Sequence, residues 1–271
     1  MSPTHAFTVD LEEWFHGIEL PRAEWPSSSR LDVGLDRLLA LLDRHGVTAT
    51  FFVLGAVAER FPQRVAELAA LGHEIACHGH FHDFVYRLSP HEFREDIRRA
   101  RDAIADASGV SPDGYRAPYF SITRESLWAL EILAEEGFKY DSSIFPVRND
   151  RYGIPGTPVK PYRHDLQGRD LREVPLTPLR MLGANVPFAG GAYLRILPWW
   201  TQVLAWRAAT RRGMNVVAYV HPWELDPDHP RIPLRRRVAA THYARLALTE
   251  GRLERLLSTY DFGRIDSIIR L

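Results

Sequence analysis

His78 and His82 stand four residues apart in His-Gly-His-Phe-His, directly behind the apolar run 74–77. Two imidazoles at this spacing, on one helical turn or a tight loop at a strand end, can reach one metal ion from the same side. A divalent cation held this way still needs a carboxylate and open positions for water. The acids on offer lie near the N-terminus, where the short apolar stretch 6–9 runs into Asp10, Glu12 and Glu13. Ionised carboxylates avoid burial unless they are paired or metal-bound, so such a cluster at a strand end is unusual. Side chains alternate along a strand, which puts Asp10 and Glu12 on one face. Glu13 shares that face only if the strand has already broken, so Glu12 is favoured and Glu13 stays open.

The bulk properties bound the chemistry. A chain of 271 residues can bury a large core, and one α/β domain spanning 1–271 is expected. Lys and Arg together number 34, as do Asp and Glu, so nothing in the balance points to nucleic acid. The single cysteine, Cys77, excludes an intramolecular disulfide and fits a reducing compartment. Alternation turns it away from the His78 side, as a buried thiol. Residues 1–5 lack the basic and apolar regions of a signal peptide, and no apolar stretch is long enough to span a bilayer. The expectation is a soluble, cytoplasmic protein.

These residues need elements to position them. Leucines at 31, 35, 38, 39 and 42 carry helical periodicity over 31–45, and Gly46 follows as a C-terminal cap residue. The β-branched and aromatic run 48–54 reads as a buried strand. A helix over 56–71 and a strand over 73–77 follow, the latter delivering His78. Ser89, Pro90 and Glu92 open a helix that runs to about 107. A strand end at 115–118, a helix over 123–136 and a strand over 138–141 continue the alternation. This rhythm predicts parallel strands covered by helices, closed as a barrel or open as a sheet. From about 145 to 198 the rhythm breaks into a Pro-, Gly- and Arg-rich insertion with one clear strand, 170–176. Such segments are usually functional loops or lids. Gly190 and Gly191 within it could let backbone approach a ligand closely. A helix over 197–212 carries Trp199, Trp200 and Trp206, at core spacing, although tryptophans can also stack on sugars or rest on a membrane surface. The strand 215–220 delivers His221, and the tail from about 234 to 271 is a helical, arginine-rich extension with a solvated face.

Asp10, His78, Arg116, Asp141 and His221 thus each follow an apolar strand, and strand C-termini converge on one face in parallel α/β architectures. At these residues the chain resembles the polysaccharide deacetylase family with the NodB homology domain, carbohydrate esterase family four. The matching segments are Phe-Thr-Val-Asp10, His78-Gly-His-Phe-His82, Arg116-Ala-Pro-Tyr119, Tyr-Asp141-Ser and Ala-Tyr-Val-His221. The segments 10–15, 140–146 and 190–198 are similar to a subgroup tied to exopolysaccharide biosynthesis. The resemblance implies a distorted (β/α)7 barrel with a long loop insertion. Two departures stand out. Leu11 follows Asp10 where a second aspartate is commoner, although Glu12 matches members that space the two carboxylates. Gly79 stands where Ser or Thr is usual.

The resemblance implies a metal-dependent N-deacetylase. Its metal, zinc first and cobalt, nickel, manganese or iron otherwise, would be held by Glu12, His78 and His82. Asp10 would act as general base and Arg116 would keep it ionised. The Tyr119 backbone N–H would meet the oxyanion, with Tyr119, Gly190 and Gly191 touching substrate. His221 would protonate the leaving amine, and Asp141 would pair with His221. The implied partner is an N-acetylated glycan, with peripheral membrane contact if that glycan is lipid-linked. Three rivals are a non-haem iron oxygenase, an amidase for a small non-sugar amide and an inactive glycan-binding module. His80 lies between the ligands and points away, while His5, His45, His73, His91, His164, His229 and His242 match no motif and read as structural or exposed, with His164 open to a substrate contact.

Overall fold

The computed structural model describes residues 5–166, 168–181 and 183–269. Strands and helices alternate as follows: β1 (His5–Leu11), α1 (Leu31–Arg44), β2 (Thr50–Val53), α2 (Gly55–Arg60), α3 (Pro62–Ala70), β3 (Glu74–Cys77), α4 (Pro90–Ser108), β4 (Gly114–Tyr115), α5 (Trp128–Glu135) and β5 (Tyr140–Asp141). The second half holds β6 (Tyr162–Arg163), β7 (Arg172–Glu173), β8 (Pro178–Met181), β9 (Ala184–Pro187), α6 (Gly191–Ile196), α7 (Trp199–Arg211), β10 (Val217–Val220), α8 (Arg236–His242), α9 (Thr249–Leu257), β11 (Phe262–Gly263) and α10 (Ile265–Ile269). Seven strands run parallel along one path, β10-β1-β2-β3-β4-β5-β7, and β6 closes one edge antiparallel. The edges β10 and β6 do not pair, so the expected (β/α)7 barrel is distorted and open.

Alternation along β1 divides the core in two. Phe7, Val9 and Leu11 face the helices and pack with Phe51, Val53, Leu35 and Leu38. Ala6 faces inward, beside Phe52, Ala76, Tyr140 and Val217, and Ile265 of α10 plugs the barrel foot. Thr8 and Asp10 share the inward face by the same period of two. The strand C-termini therefore present polar groups inside the barrel mouth while the apolar residues hold the walls.

Local chemistry sets the boundaries. Ser89 and Glu92 form a reciprocal capping box on α4, and Gly109 ends it at φ 73°. The helix expected over 56–71 is two helices, because Phe61 precedes Pro62 and is barred from helical geometry (φ −131°, ψ 53°). The helix expected over 123–136 opens with a 3-10 turn at Arg124–Ser126 before α5. The insertion is more ordered than its composition suggests: β8 and β9 form a hairpin, and the strand expected over 170–176 shrinks to β7. The C-terminal extension is more than a solvated face. Leu253, Leu256 and Leu257 of α9 are buried in the main core.

Candidate active site

β1 and the loop after β3 bring three potential ligands together. One oxygen of Glu12 and one nitrogen each of His78 and His82 lie within 4.8 Å of one another. His82 takes φ 62°, a left-handed conformation rare outside glycine, which folds its ring back toward His78. His78 Nδ1 meets the Arg116 carbonyl oxygen at 2.8 Å, leaving Nε2 free to face the cluster. Glu12 Oε1 accepts from the Trp223 indole N–H at 3.0 Å. Glu12 Oε2 is buried without a hydrogen bond, 2.6 Å from His82 Nε2. An orphaned buried oxygen facing two imidazoles fits a divalent cation, and carboxylate plus two histidines is a common donor set for one. Burial works to raise the Glu12 carboxyl, but His82 and His221 outweigh it and hold it well below the usual range. Burial pushes His78 down to about 4, so its ring is a neutral donor. Glu13 points elsewhere: its carboxylate accepts from the Ser29 hydroxyl and the Arg30 amide at the start of α1.

Asp10 faces the same space. Arg116 Nη1 donates to Asp10 Oδ1 and to Thr8 Oγ1, both at 2.8 Å, and Arg116 Nε donates to the Ser142 carbonyl. The guanidinium also lies 4.0 Å from the centre of the Phe52 ring. A buried arginine with this many acceptors is a fixed positive charge that anchors Asp10. On the opposite side, His221 Nε2 stands 3.8 Å from both Asp10 Oδ2 and Glu12 Oε1. Burial lowers the His221 pKa, but Glu12, Glu224 and Asp10 more than compensate and raise it to about 9. These carboxylates favour the charged form of the imidazole.

The partner of His221 differs from expectation. Glu224 Oε1 sits 2.7 Å from His221 Nδ1, and Arg195 Nε donates to Glu224 Oε2 at 2.5 Å. Burial raises Glu224, yet Arg195 and His221 overcome it and hold its carboxyl down to about 2. Asp141 makes no ion pair with His221. Its carboxyl takes the Ser143 hydroxyl and amide, and burial beside Glu173 raises it well above the carboxylate range. The strand path separates β5 from β10, so Asp141 meets β7 instead.

A cavity of about 490 Å³ opens over this cluster, lined by Asp10, Glu12, His78, His82, Tyr119, His221 and an apolar wall that includes Tyr152, Tyr193, Ile196 and Leu197. Tyr119 takes φ 56° between Pro118 and Phe120, and its amide N–H has no acceptor among the described residues. Its ring stacks on Phe84 and its hydroxyl donates to the His16 carbonyl. Gly191 lines the cavity, but the close approach made by both glycines is to Tyr219. A Cβ on Gly190 would lie 2.4 Å from the Tyr219 carbonyl oxygen, and one on Gly191 would lie 2.9 Å from its ring. Two histidines escaped sequence reasoning. His242 lines the cavity and stacks on Trp223 at 4.2 Å. His16 stacks near His82 at 5.8 Å. Neither has a telling spacing; the folded-back turn at His16–Ile18 and α8 bring them in. His80 points away toward Glu59, and His164 is held by Glu173.

Comparison with known proteins places this geometry. Residues 32–140 match the sequence model for polysaccharide deacetylase, and residues 142–270 match a domain of unknown function, DUF3473. The chain is 30% identical to the peptidoglycan deacetylase of Helicobacter pylori over 113 residues, 42% of this chain and 38% of that protein. It is 34% identical to the chitooligosaccharide deacetylase of Bradyrhizobium over 98 residues, 36% of this chain and 42% of that protein. Over residues 32–140 the chain is similar to the polysaccharide deacetylase family. The matched stretch spans about a third of the length of the first curated relatives. A crystal structure from Mycobacterium smegmatis, assigned to the polysaccharide deacetylases, shares the fold with TM-score 0.64 at 21% identity, over 99% of this chain and 90% of that one. No helix among the described residues is long and apolar enough to cross a membrane.

Proposed function

We propose that the protein is a metal-dependent hydrolase that removes N-acetyl groups from amino sugars of an exopolysaccharide or its lipid-linked precursor. One observation carries the reading: Asp10, Glu12, His78, His82 and His221 all line one cavity, with Arg116 paired to Asp10 and Glu224 to His221. Glu12, His78 and His82 would hold a divalent cation, zinc by donor type, which when bound acidifies water and polarises an amide carbonyl. Asp10 has one oxygen tied to Arg116 and the other turned toward His221, so Oδ2 is the atom that accepts the water proton. The Tyr119 N–H is the free donor placed for the developing oxyanion. His221 carries a proton on Nε2 and gives it to the departing amine nitrogen as the C–N bond breaks, releasing acetate and free amine. Glu224 keeps that imidazole charged and oriented. The exopolysaccharide substrate is supported by the sequence likeness of 10–15, 140–146 and 190–198. An oxygenase is disfavoured because an acid and a base already flank the three ligands.

Acetate release from chitooligosaccharides by metal-stripped protein, before and after adding Zn²⁺ or Co²⁺, tests the reading. Metal-restored release that disappears in Asp10→Asn, while that variant still binds the oligosaccharide, is the expected result. Equal turnover with and without chelator, or undiminished turnover in Asp10→Asn, defeats it.

A further inference from the structure

The face beside the cavity mouth has no role in the chemistry above. Its two central residues, Trp200 and Leu204, are the most exposed large apolar side chains among the described residues, at 66% and 57%. They stand one turn apart on α7, whose opposite face buries Gln202, Ala205, Trp206 and Ala209. Ile196, at the end of α6, extends the exposed strip to the cavity, which it lines together with Leu197.

Charge is concentrated on the same side. Residues 195–255 contain eleven arginines, no lysine and five acidic residues, in a chain whose total charge is zero. Arg207, Arg235, Arg236, Arg237, Arg245 and Arg255 are exposed, and none makes an ion pair among the described residues. Arg207 is one helical turn beyond Leu204 on α7. Arg245 donates to the Ile196 carbonyl, and the Arg255 guanidinium lies 5.5 Å from the centre of the Trp199 ring. An exposed tryptophan and leucine bordered by unpaired arginines is the composition of a helix lying at a lipid headgroup boundary. A second copy of this chain would set arginine against arginine here, which disfavours self-association through this face.

We propose that the surface formed by Ile196, Trp200, Leu204 and the surrounding arginines docks on an anionic lipid bilayer, with the cavity mouth at headgroup level. The docking stands on this surface alone; that the membrane then supplies a lipid-linked glycan rests on the deacetylase reading. Trp200 and Leu204 would enter the acyl boundary while the arginines meet lipid phosphates. This orientation gives a glycan chain growing from a membrane anchor a short path to Asp10 and His221.

Sedimentation of the full chain with vesicles tests the proposal. The protein should pellet with phosphatidylcholine mixed equally with phosphatidylglycerol and stay in the supernatant with phosphatidylcholine alone. Trp200→Ser with Leu204→Ser should weaken partition by about tenfold or more. Arg235→Gln, Arg236→Gln and Arg237→Gln together should weaken it on the order of a hundredfold. Acetate release from a water-soluble chitooligosaccharide should be unchanged in both variants, which shows that they fold. Retention in the supernatant with anionic vesicles overturns the proposal, as do variants that pellet like the parent. A dimer that dissociates on Trp200→Ser, without vesicle binding, assigns the face to a protein partner and also overturns it. Vesicle binding by a protein that releases no acetate from any glycan leaves the docking standing and removes the deacetylase reading instead.

Discussion

At the scale of single residues, the cavity separates a charged relay from a neutral one. Arg195, Glu224 and His221 form a buried chain in which each charge stabilises the next. Asp141, by contrast, has its pKa raised by burial beside Glu173, and it accepts the Ser143 hydroxyl and amide. The two acids should therefore respond differently to isosteric amides. Glu224→Gln removes the charge that holds His221 as imidazolium, and kcat for N-deacetylation should fall by about 10²–10⁴. Asp141→Asn replaces a carboxyl whose charge burial disfavours and which does not touch His221, and kcat should stay within about tenfold of the parent. Steady-state kinetics on both variants, with circular dichroism to confirm folding, decides the matter. A larger loss in Asp141→Asn than in Glu224→Gln would make Asp141, not Glu224, the acid that supports the reaction.

At the scale of elements, the catalytic turn is held by a helix that must come unusually close. Pro222–Leu225 packs under α1, and a Cβ on Gly34 would lie 1.9 Å from the Pro222 carbonyl oxygen. Gly34→Ala should force the two apart, costing about 1–3 kcal/mol and several degrees of Tm. Activity should fall with it, because His221, Trp223 and Glu224 all ride on that turn. A Gly34→Ala protein with parental Tm and turnover would show that the contact yields freely. This crossing also marks where the sequence stops being legible. Polar groups at the ends of apolar strands could be read from period and composition, and Asp10, Glu12, His78, His82, Arg116 and His221 do converge. Strand order is not legible in the sequence, and the Asp141–His221 pairing that the resemblance implies is not made, because β5 and β10 lie apart on the strand path. Glu224 carried a local signal that was available. It stands three residues after His221, its side chain accepts the His221 amide at 3.1 Å, and an acid at that offset is half of a capping box. The β8–β9 hairpin is hidden because its strands pair Pro178 with Pro187 at the open end and alternate poorly.

Across the whole molecule, buried carboxyls of opposite tendency bound the pH range of stability. Glu173 is buried beside Asp141 and His164, and burial raises it to about 8 from an unfolded value of 4.5. The folded state holds that proton where the unfolded chain has released it. The stability it contributes is complete below the unfolded value and is lost as pH climbs through about 8. Glu224 runs the other way. Its folded value, about 2, lies below the unfolded 4.5, so its contribution is present above 4.5 and disappears as pH falls toward 2. Between these limits the fold should be most stable on the mildly acidic side of neutrality. Urea unfolding at about pH 5.5 and about pH 9 should show a loss on the order of 2–4 kcal/mol in the parent. In Glu173→Gln, where no proton can leave, the share of that loss due to Glu173 should vanish, while the shares of Asp141 and His221 and the acid limb set by Glu224 remain. An undiminished alkaline loss in Glu173→Gln would move the titration to the other groups with raised values, Asp141 and His221, and leave Glu173 no part in it.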